Sequence, residues 1–131
     1  MPAPSTQIPP TPKFNELKAL YTRDQLKGEA FLCDLSALKY SDYRDVYEPN
    51  EDTYLLIDAL NLESQNTLKE HLGSKKGATI LEIGVGSGAV INSLQIMMRR
   101  DEIITEDNGT DFHFIATDIN PKAIDCAQRV M

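Results

Sequence analysis

Ala78-Thr79-Ile80-Leu81-Glu82-Ile83 runs straight into Gly84-Val85-Gly86-Ser87-Gly88, and apolar residues at helical spacing resume at once with Val90, Ile91, Leu94, Met97 and Met98. The short, mostly apolar run predicts a buried strand. Glycines lack a Cβ, so the chain can turn from strand to helix within a few residues and leave its backbone open to a ligand. The helix that follows presents N–H groups and the positive end of its dipole to the same place. A second apolar run, Phe112 to Asp118, predicts another strand, after which Asn120 suits a helix N-cap and Pro121 a first helical position. Strand, glycine turn, helix, strand, helix is the opening of a doubly wound, Rossmann-like α/β sheet.

Two kinds of nucleotide ligand use such a turn. Gly84, Gly86 and Ala89 satisfy the loose dinucleotide pattern. Glu82 stands against it, because a carboxylate at the strand's end repels a pyrophosphate. S-adenosylmethionine carries a sulfonium and an ammonium and no phosphate, so Glu82 suits it. A tight turn with no ligand is the plainer alternative, and Asp118 argues against that. In a doubly wound sheet the first two strands are neighbours, which sets Asp118 beside the glycine turn, where an acid can accept both hydroxyls of a ribose.

The rest of the chain bounds the partners. Its 131 residues suit one domain. A net charge of -7, with no basic run longer than Lys75-Lys76 or Arg99-Arg100, disfavours nucleic acid. No stretch is apolar enough to span a membrane and none resembles a signal peptide. Cys33 and Cys126 show no metal-ligand spacing and are expected as free thiols of a reducing compartment, so a cytoplasmic or a cytoplasmic and nuclear location is expected. No metal site is predicted; His71 and His113 have no ligand-spaced partner. Residues 1–13 are proline-rich and predict a disordered arm. Residues 14–47 form an N-terminal extension with a short helix over Phe14–Leu26 and an unclear stretch around Phe31-Leu32-Cys33. From Asn50 a strongly apolar helix is expected to run to Leu72, with Gly73 as its stop. The Asp101–Asp111 segment, polar and acidic, is expected as a surface loop.

Val46-Tyr47-Glu48-Pro49-Asn50-Glu51-Asp52-Thr53, followed by Leu55-Leu56-Ile57-Asp58-Ala59-Leu60, resembles the opening signature of HemK-type protein-(glutamine-N5) methyltransferases of the short eukaryotic and archaeal kind. Leu81 to Gly88 and Thr117-Asp118-Ile119-Asn120-Pro121 match the next two family motifs in order, so the resemblance covers about residues 42–131. It implies that residues 48–131 are the first part of a class I S-adenosylmethionine-dependent methyltransferase fold. It implies as substrate the Gly-Gly-Gln loop of the eukaryotic translation release factor, and as partner a small zinc-binding activator subunit. By the same resemblance Thr53, Glu82, Gly84 and Asp118 contact the cofactor, Thr53 by bonding its methionine carboxylate, while Gly86 and Gly88 shape the loop.

The family's catalytic signature, Asn-Pro-Pro-Tyr, does not occur in these residues, and Asn120-Pro121-Lys122-Ala123 is not a substitute, since it starts a helix after the second strand. An amide nitrogen is a poor nucleophile, and in the family that signature holds it in line with the methyl group. No catalytic residue is therefore assigned. The expectation is an incomplete methyltransferase fold, a truncated or partial form inactive as it stands. The alternatives are an amino-methylating enzyme acting on nucleic acid, a non-catalytic module that binds S-adenosylmethionine or a protein, and an NAD-dependent oxidoreductase, against which Glu82 speaks.

Overall fold

The computed structural model describes residues 33–73 and 76–131. The expected arm at 1–13, the helix over Phe14–Leu26 and the pair Phe31-Leu32 lie outside the described residues; Cys33 has no strand conformation.

Asn50 opens α1 (Glu51–Glu63). Its side chain accepts the Glu51 N–H at 2.8 Å, and Thr53 Oγ1 accepts the Asn50 N–H at 3.3 Å, a reciprocal cap at a helix start. Glu51 and Asp52 add negative charge where the helix dipole is positive. The helical path continues through a wide π turn, Ser64–Leu68, into α2 (Lys69–Leu72). Ser64, fully buried, donates to Asp101 Oδ2 at 2.7 Å and so ties that turn to the C-terminal end of the helix Ala89–Arg100. The helix stops at Gly73 as expected, but with φ −63, so this stop needs no left-handed residue. The apolar sequence of α1 overstates its burial. Ile57 is buried, whereas Leu55 and Leu56 are 71% and 47% exposed.

β1 (Ala78–Ile83) and β2 (Phe112–Thr117) pair in parallel, from Ala78 opposite Phe112 to Ile83 opposite Thr117. Between them runs α3 (Ala89–Arg100), and after β2 runs α4 (Pro121–Val130), whose first turn is capped by Asn120 Oδ1 accepting the Lys122 N–H at 3.0 Å. The two βα units lie side by side with their helices on one face of the sheet. There Ile80, Phe112 and Phe114 meet Leu60 of α1 and Leu94 and Met98 of α3, while Ala116 and Phe114 meet Ile91 of α3 and Ala127 of α4. Met97 and Met98 are completely buried, the core role their helical spacing suggests. On its far side α4 presents Ala123 and Cys126 to Leu38 and Val46, so the segment before α1 packs against the helix at the end of the described chain.

Two expectations need correction. The first is that β1 is buried. Its side chains alternate between partly covered and exposed, and Leu81, Ile83 and, on β2, Ile115 stand 55%, 81% and 46% exposed. An apolar strand is buried only where a layer covers it, and here helices cover one face. The second concerns Asp101–Asp111. Most of this segment is polar and exposed, but Ile103 and Ile104 are 0% and 3% exposed and plug the core beside Met98 and Phe112. Their N–H groups bond back to the Met98 carbonyl at 2.9 and 3.1 Å, after a reversal in which Glu102 takes φ 60. A left-handed non-glycine residue costs about 1–2 kcal/mol. Burying each isoleucine contributes about 1.5–3 kcal/mol, so the reversal is stable. Two isoleucines among acids carry no periodic pattern, which is why the sequence hides them.

Ile103→Ala is expected to lower the unfolding free energy by about 2–4 kcal/mol, a core-sized loss from a residue in an acidic loop. Urea denaturation checks this; a loss below about 0.5 kcal/mol, ordinary for a surface site, would show that the loop does not plug the core.

Candidate functional site: two clefts meeting at Gly84

The pairing of β1 with β2 does not end at Ile83. Gly84 and Val85 both donate to the Thr117 carbonyl, at 2.8 and 3.0 Å. The glycine turn is thereby held against the end of β2. Asp118, the next residue, bridges the two: its Oδ2 accepts the Gly86 N–H at 3.0 Å and its Oδ1 accepts the Asn120 N–H at 2.9 Å. Those two N–H donors, Asn120 first and Gly86 second, hold the Asp118 carboxyl below the usual carboxylate range. The expected juxtaposition of Asp118 with the glycine turn is therefore present. Asn120 is the side-chain cap of α4, as expected, and Asp118 in addition pins the turn.

The glycines divide into two kinds. Gly84, Gly86 and Gly88 have φ +78, +54 and +85, a region other residues enter at a cost. A Cβ on Gly84 or Gly86 would meet no atom within 4 Å, so bare backbone faces open space there. A Cβ on Gly88 would stand 2.9 Å from Ala127 Cα and 2.9 Å from Asn92 Nδ2. Gly88 serves the close approach of α3 and α4 and does not line either cleft.

Two clefts flank the turn. One, of about 230 Å³, is lined by Gly84, Gly86 and Glu82 together with Tyr47, Asp52 and Thr53 from the other side. The other, of about 270 Å³, is lined by Ile83, Gly84, Thr117, Asp118 and Ile119. Gly84 belongs to both. The site thus brings together Thr53, Glu82, Gly84 and Gly86 in the first cleft and Asp118 in the second.

Each acid has its own environment. Glu82 sits on the covered face of β1 beneath α3, where its Oε2 accepts the Ile91 N–H at 3.1 Å and occupies an N-terminal donor of that helix. Burial raises its carboxyl to about 6, against the lowering effect of that bond. Glu82 is both a helix cap and a wall of the cleft. Thr53 Oγ1 is engaged by Asn50, which leaves its hydroxyl hydrogen to offer to a ligand. Tyr47 and Asp52, joined by a Tyr47 hydroxyl donating to Asp52 Oδ1 at 3.3 Å, line the cleft although sequence reasoning singled out only Thr53 in this stretch. The signal was present in the Val46–Thr53 run. What it lacked was the fold of residues 46–50, which turns Tyr47 toward the start of α1. Among the described residues no group of three His, Cys, Asp or Glu side chains converges to hold a metal ion.

These residues suit S-adenosylmethionine. A bare glycine backbone leaves room for it, Glu82 and Asp52 give the first cleft negative charge to meet a sulfonium and an ammonium, and Asp118 offers acceptors to a ribose.

The raised carboxyl of Glu82 makes a prediction for the protein without ligand. A group whose acid form is favoured by folding holds more protons folded than unfolded between pH 4.5 and about 6, so stability falls as pH rises through that window. Because the half-buried carboxyl is partly screened by solvent, Glu82→Gln is expected to stabilise the chain by about 1 kcal/mol or less at pH 7 and to make little difference below pH 4.5. Thermal unfolding of both proteins from pH 4 to 8 measures this, and a difference that does not vary with pH would contradict it.

No family model matches the chain, and no solved structure matches it. Curated proteins do. Over 84 residues, 64% of this chain, it is 37% identical to Methyltransferase HEMK2 of Mus musculus and 36% identical to Methyltransferase HEMK2 of Homo sapiens. Over 60 residues, 46% of this chain, it is 37% identical to the eRF1 methyltransferase catalytic subunit mtq2 of Schizosaccharomyces pombe. The matches cover 31%, 31% and 25% of those proteins, so the chain spans about a third of the length of the first two curated relatives and a quarter of the third. Over the matched stretch, the chain is a relative of the HemK-type methyltransferases.

Proposed function

We propose that this chain carries the S-adenosylmethionine-binding part of a protein methyltransferase whose substrate is the glutamine of the Gly-Gly-Gln loop of the eukaryotic release factor. The observation that carries the cofactor reading is the pair of clefts sharing Gly84, with Glu82 at one and Asp118 at the other. A ligand laid across Gly84 meets carboxylates at both ends. That suits a molecule with a cationic amino-acid end and a ribose end, and it opposes a pyrophosphate at the first cleft. S-adenosylmethionine supplies an electrophilic methyl group on sulfur. The residues of this chain do the holding: Thr53 offers a hydroxyl to the carboxylate end, Glu82 and Asp52 supply the counter-charge, Gly84 and Gly86 let the backbone come close, and Asp118 accepts the ribose hydroxyls. No Asn-Pro-Pro-Tyr element lies within residues 1–131, so the groups that orient the amide nitrogen are not among those described.

The substrate reading is supported by the similarity to the Schizosaccharomyces pombe protein, whose name gives eRF1 as its target and calls it a catalytic subunit. By that likeness we assign this chain the same substrate class and a companion subunit, the small zinc-binding activator that the family resemblance implies. A cytoplasmic place of action accords with that substrate.

Calorimetric titration of the chain tests the cofactor reading. S-adenosylmethionine is expected to bind and NAD is not. Asp118→Ala is expected to weaken binding by about tenfold or more, since charge-assisted hydrogen bonds to the ribose are lost. Equal binding of NAD, or an unchanged affinity in the variant, would overturn it.

A further inference from the structure

The described chain begins 14 positions before Tyr47, and each segment leading to that residue is fastened. The Cys33 N–H donates to Ser93 Oγ of α3 at 2.9 Å. Leu38 and Val46 are buried against Ala123 and Cys126 of α4. Between them Arg129, in the last turn of α4, makes a two-pronged bond to Asp42, Nη2 to Oδ1 at 2.8 Å and Nη1 to Oδ2 at 3.1 Å, and Nη1 also donates to the Ala37 carbonyl at 3.0 Å. Its Nε donates to Asp125 Oδ2 at 3.0 Å, which fixes the guanidinium on its own helix. Nearer the site, Asn120 Nδ2 donates to the Asp45 carbonyl at 2.8 Å and Lys122 Nζ meets Asp45 Oδ2 at 2.6 Å.

These bonds differ in weight. The Lys122–Asp45 pair has side chains 63% and 46% exposed, a setting where ion pairs contribute little. The Arg129–Asp42 pair is 34% and 20% exposed, bidentate, and shared with a backbone carbonyl, the geometry in which a guanidinium is strong and directional. What it holds is the short 3-10 turn at Asp42–Arg44, whose Asp42 carbonyl in turn accepts the Asp45 and Val46 N–H groups. Tyr47 follows directly, 62% exposed and, among the described residues, with one polar side-chain contact, its hydroxyl to Asp52 at 3.3 Å. A ring so exposed keeps its place in the wall of the first cleft only if the backbone before it is fixed. Arg129 lies about 12 Å along α4 from Pro121 and touches neither cleft.

We propose that Arg129 is a positioning residue for the cofactor site: by clamping residues 37–42 to α4 it holds the Tyr47 ring as the wall that faces the cationic end of S-adenosylmethionine. This rests on the cofactor reading above and adds to it a recognition element, the face of an aromatic ring against a sulfonium or ammonium, and the distant group that keeps it there. The ring does not face the Asp118 cleft, so a ligand confined to that cleft does not sense the clamp.

The test uses the whole chain and two probes, S-adenosylmethionine, which spans both clefts, and adenosine, which needs only the cleft at Asp118. Arg129→Ala and Tyr47→Ala are each expected to weaken S-adenosylmethionine by about 3–30-fold. The double variant is expected to be no weaker than the weaker single, because both changes remove one element. Adenosine affinity should stay within about twofold of wild type in all three. Amide hydrogen exchange at Asp45 and Val46 should rise in Arg129→Ala, with β1 and β2 unchanged. Arg129→Lys, which keeps the charge and loses the fork, should fall between, and it serves if the alanine variant folds poorly. An equal loss for both probes would overturn the inference by making Arg129 a general stability residue, and so would additive losses or an unchanged S-adenosylmethionine affinity. Wild-type protein that does not bind S-adenosylmethionine would instead overturn the cofactor reading itself.

Discussion

The rest of the structure depends on the left-handed turn between β1 and α3. Gly84, Gly86 and Gly88 all carry positive φ, and the first two residues of the turn, Gly84 and Val85, are bonded to the carbonyl of Thr117. This one arrangement fixes three things at once. It drops α3 onto the same face of the sheet as α4, with contact at Gly88 too close for any side chain. It brings the strand ends level, so that Asp118 reaches the Gly86 N–H. It also leaves the backbone of Gly84 and Gly86 open toward the clefts. A substitution that forced φ negative at any of the three would disturb fold and site together, although by different routes: the first two through the ligand's space, the third through helix packing.

The polar groups at the candidate site are already engaged in holding the fold. Glu82 occupies an N–H of α3, Asp118 occupies those of Gly86 and Asn120, and Thr53 closes the cap of α1. Groups already ordered lose little further freedom when a ligand arrives, so their ordering cost is met in folding rather than in binding. The two carboxylates are also tuned in opposite senses. Backbone donors favour the ionised form of Asp118, while burial makes the charge on Glu82 costly. A cleft that disfavours its own empty, charged state gains more from a cationic ligand than a solvated one would.

How much of this was legible follows from which interactions are local. The strand, turn and helix from Ala78 to Arg100, and the helix start at Asn120, match the sequence reading almost residue for residue, because periodicity, glycine and a cap residue are signals carried within a few positions. The juxtaposition of Asp118 with the turn needed only the rule that consecutive strands are neighbours. What the sequence did not disclose depends on distant contacts. Nothing near Ile103 marks it as core, since its partners Met98 and Phe112 come from the ends of two other elements. Nothing near Leu81 or Leu55 marks either as exposed, since apolar character reports what a residue tolerates and not which layer covers it. Gly88, grouped with the others by its spacing, differs from them because Ala127 and the Asn92 side chain lie against it.

Tyr47 shows the same division within the site. Its neighbours in sequence identify the stretch, but the backbone before it is bonded to α4, more than seventy residues later, by Arg129 and by the helix cap Asn120, with the exposed Lys122 pair adding little. Asn120 is the residue that joins the two ends. Its N–H is accepted by Asp118 at the second cleft, its Oδ1 caps α4, and its Nδ2 holds the Asp45 carbonyl two residues before Tyr47. One side chain and its own amide therefore link the second cleft to the segment before Tyr47 in the wall of the first, and both to the start of α4. The asparagine is chosen by this geometry: an aspartate could cap the helix as well but has no N–H to give to Asp45, and a serine has one short hydroxyl where two separate groups are needed. A position that looks, in sequence, like an ordinary helix cap is in the folded chain bonded at once to Asp118 beside the second cleft and to the segment that leads to Tyr47.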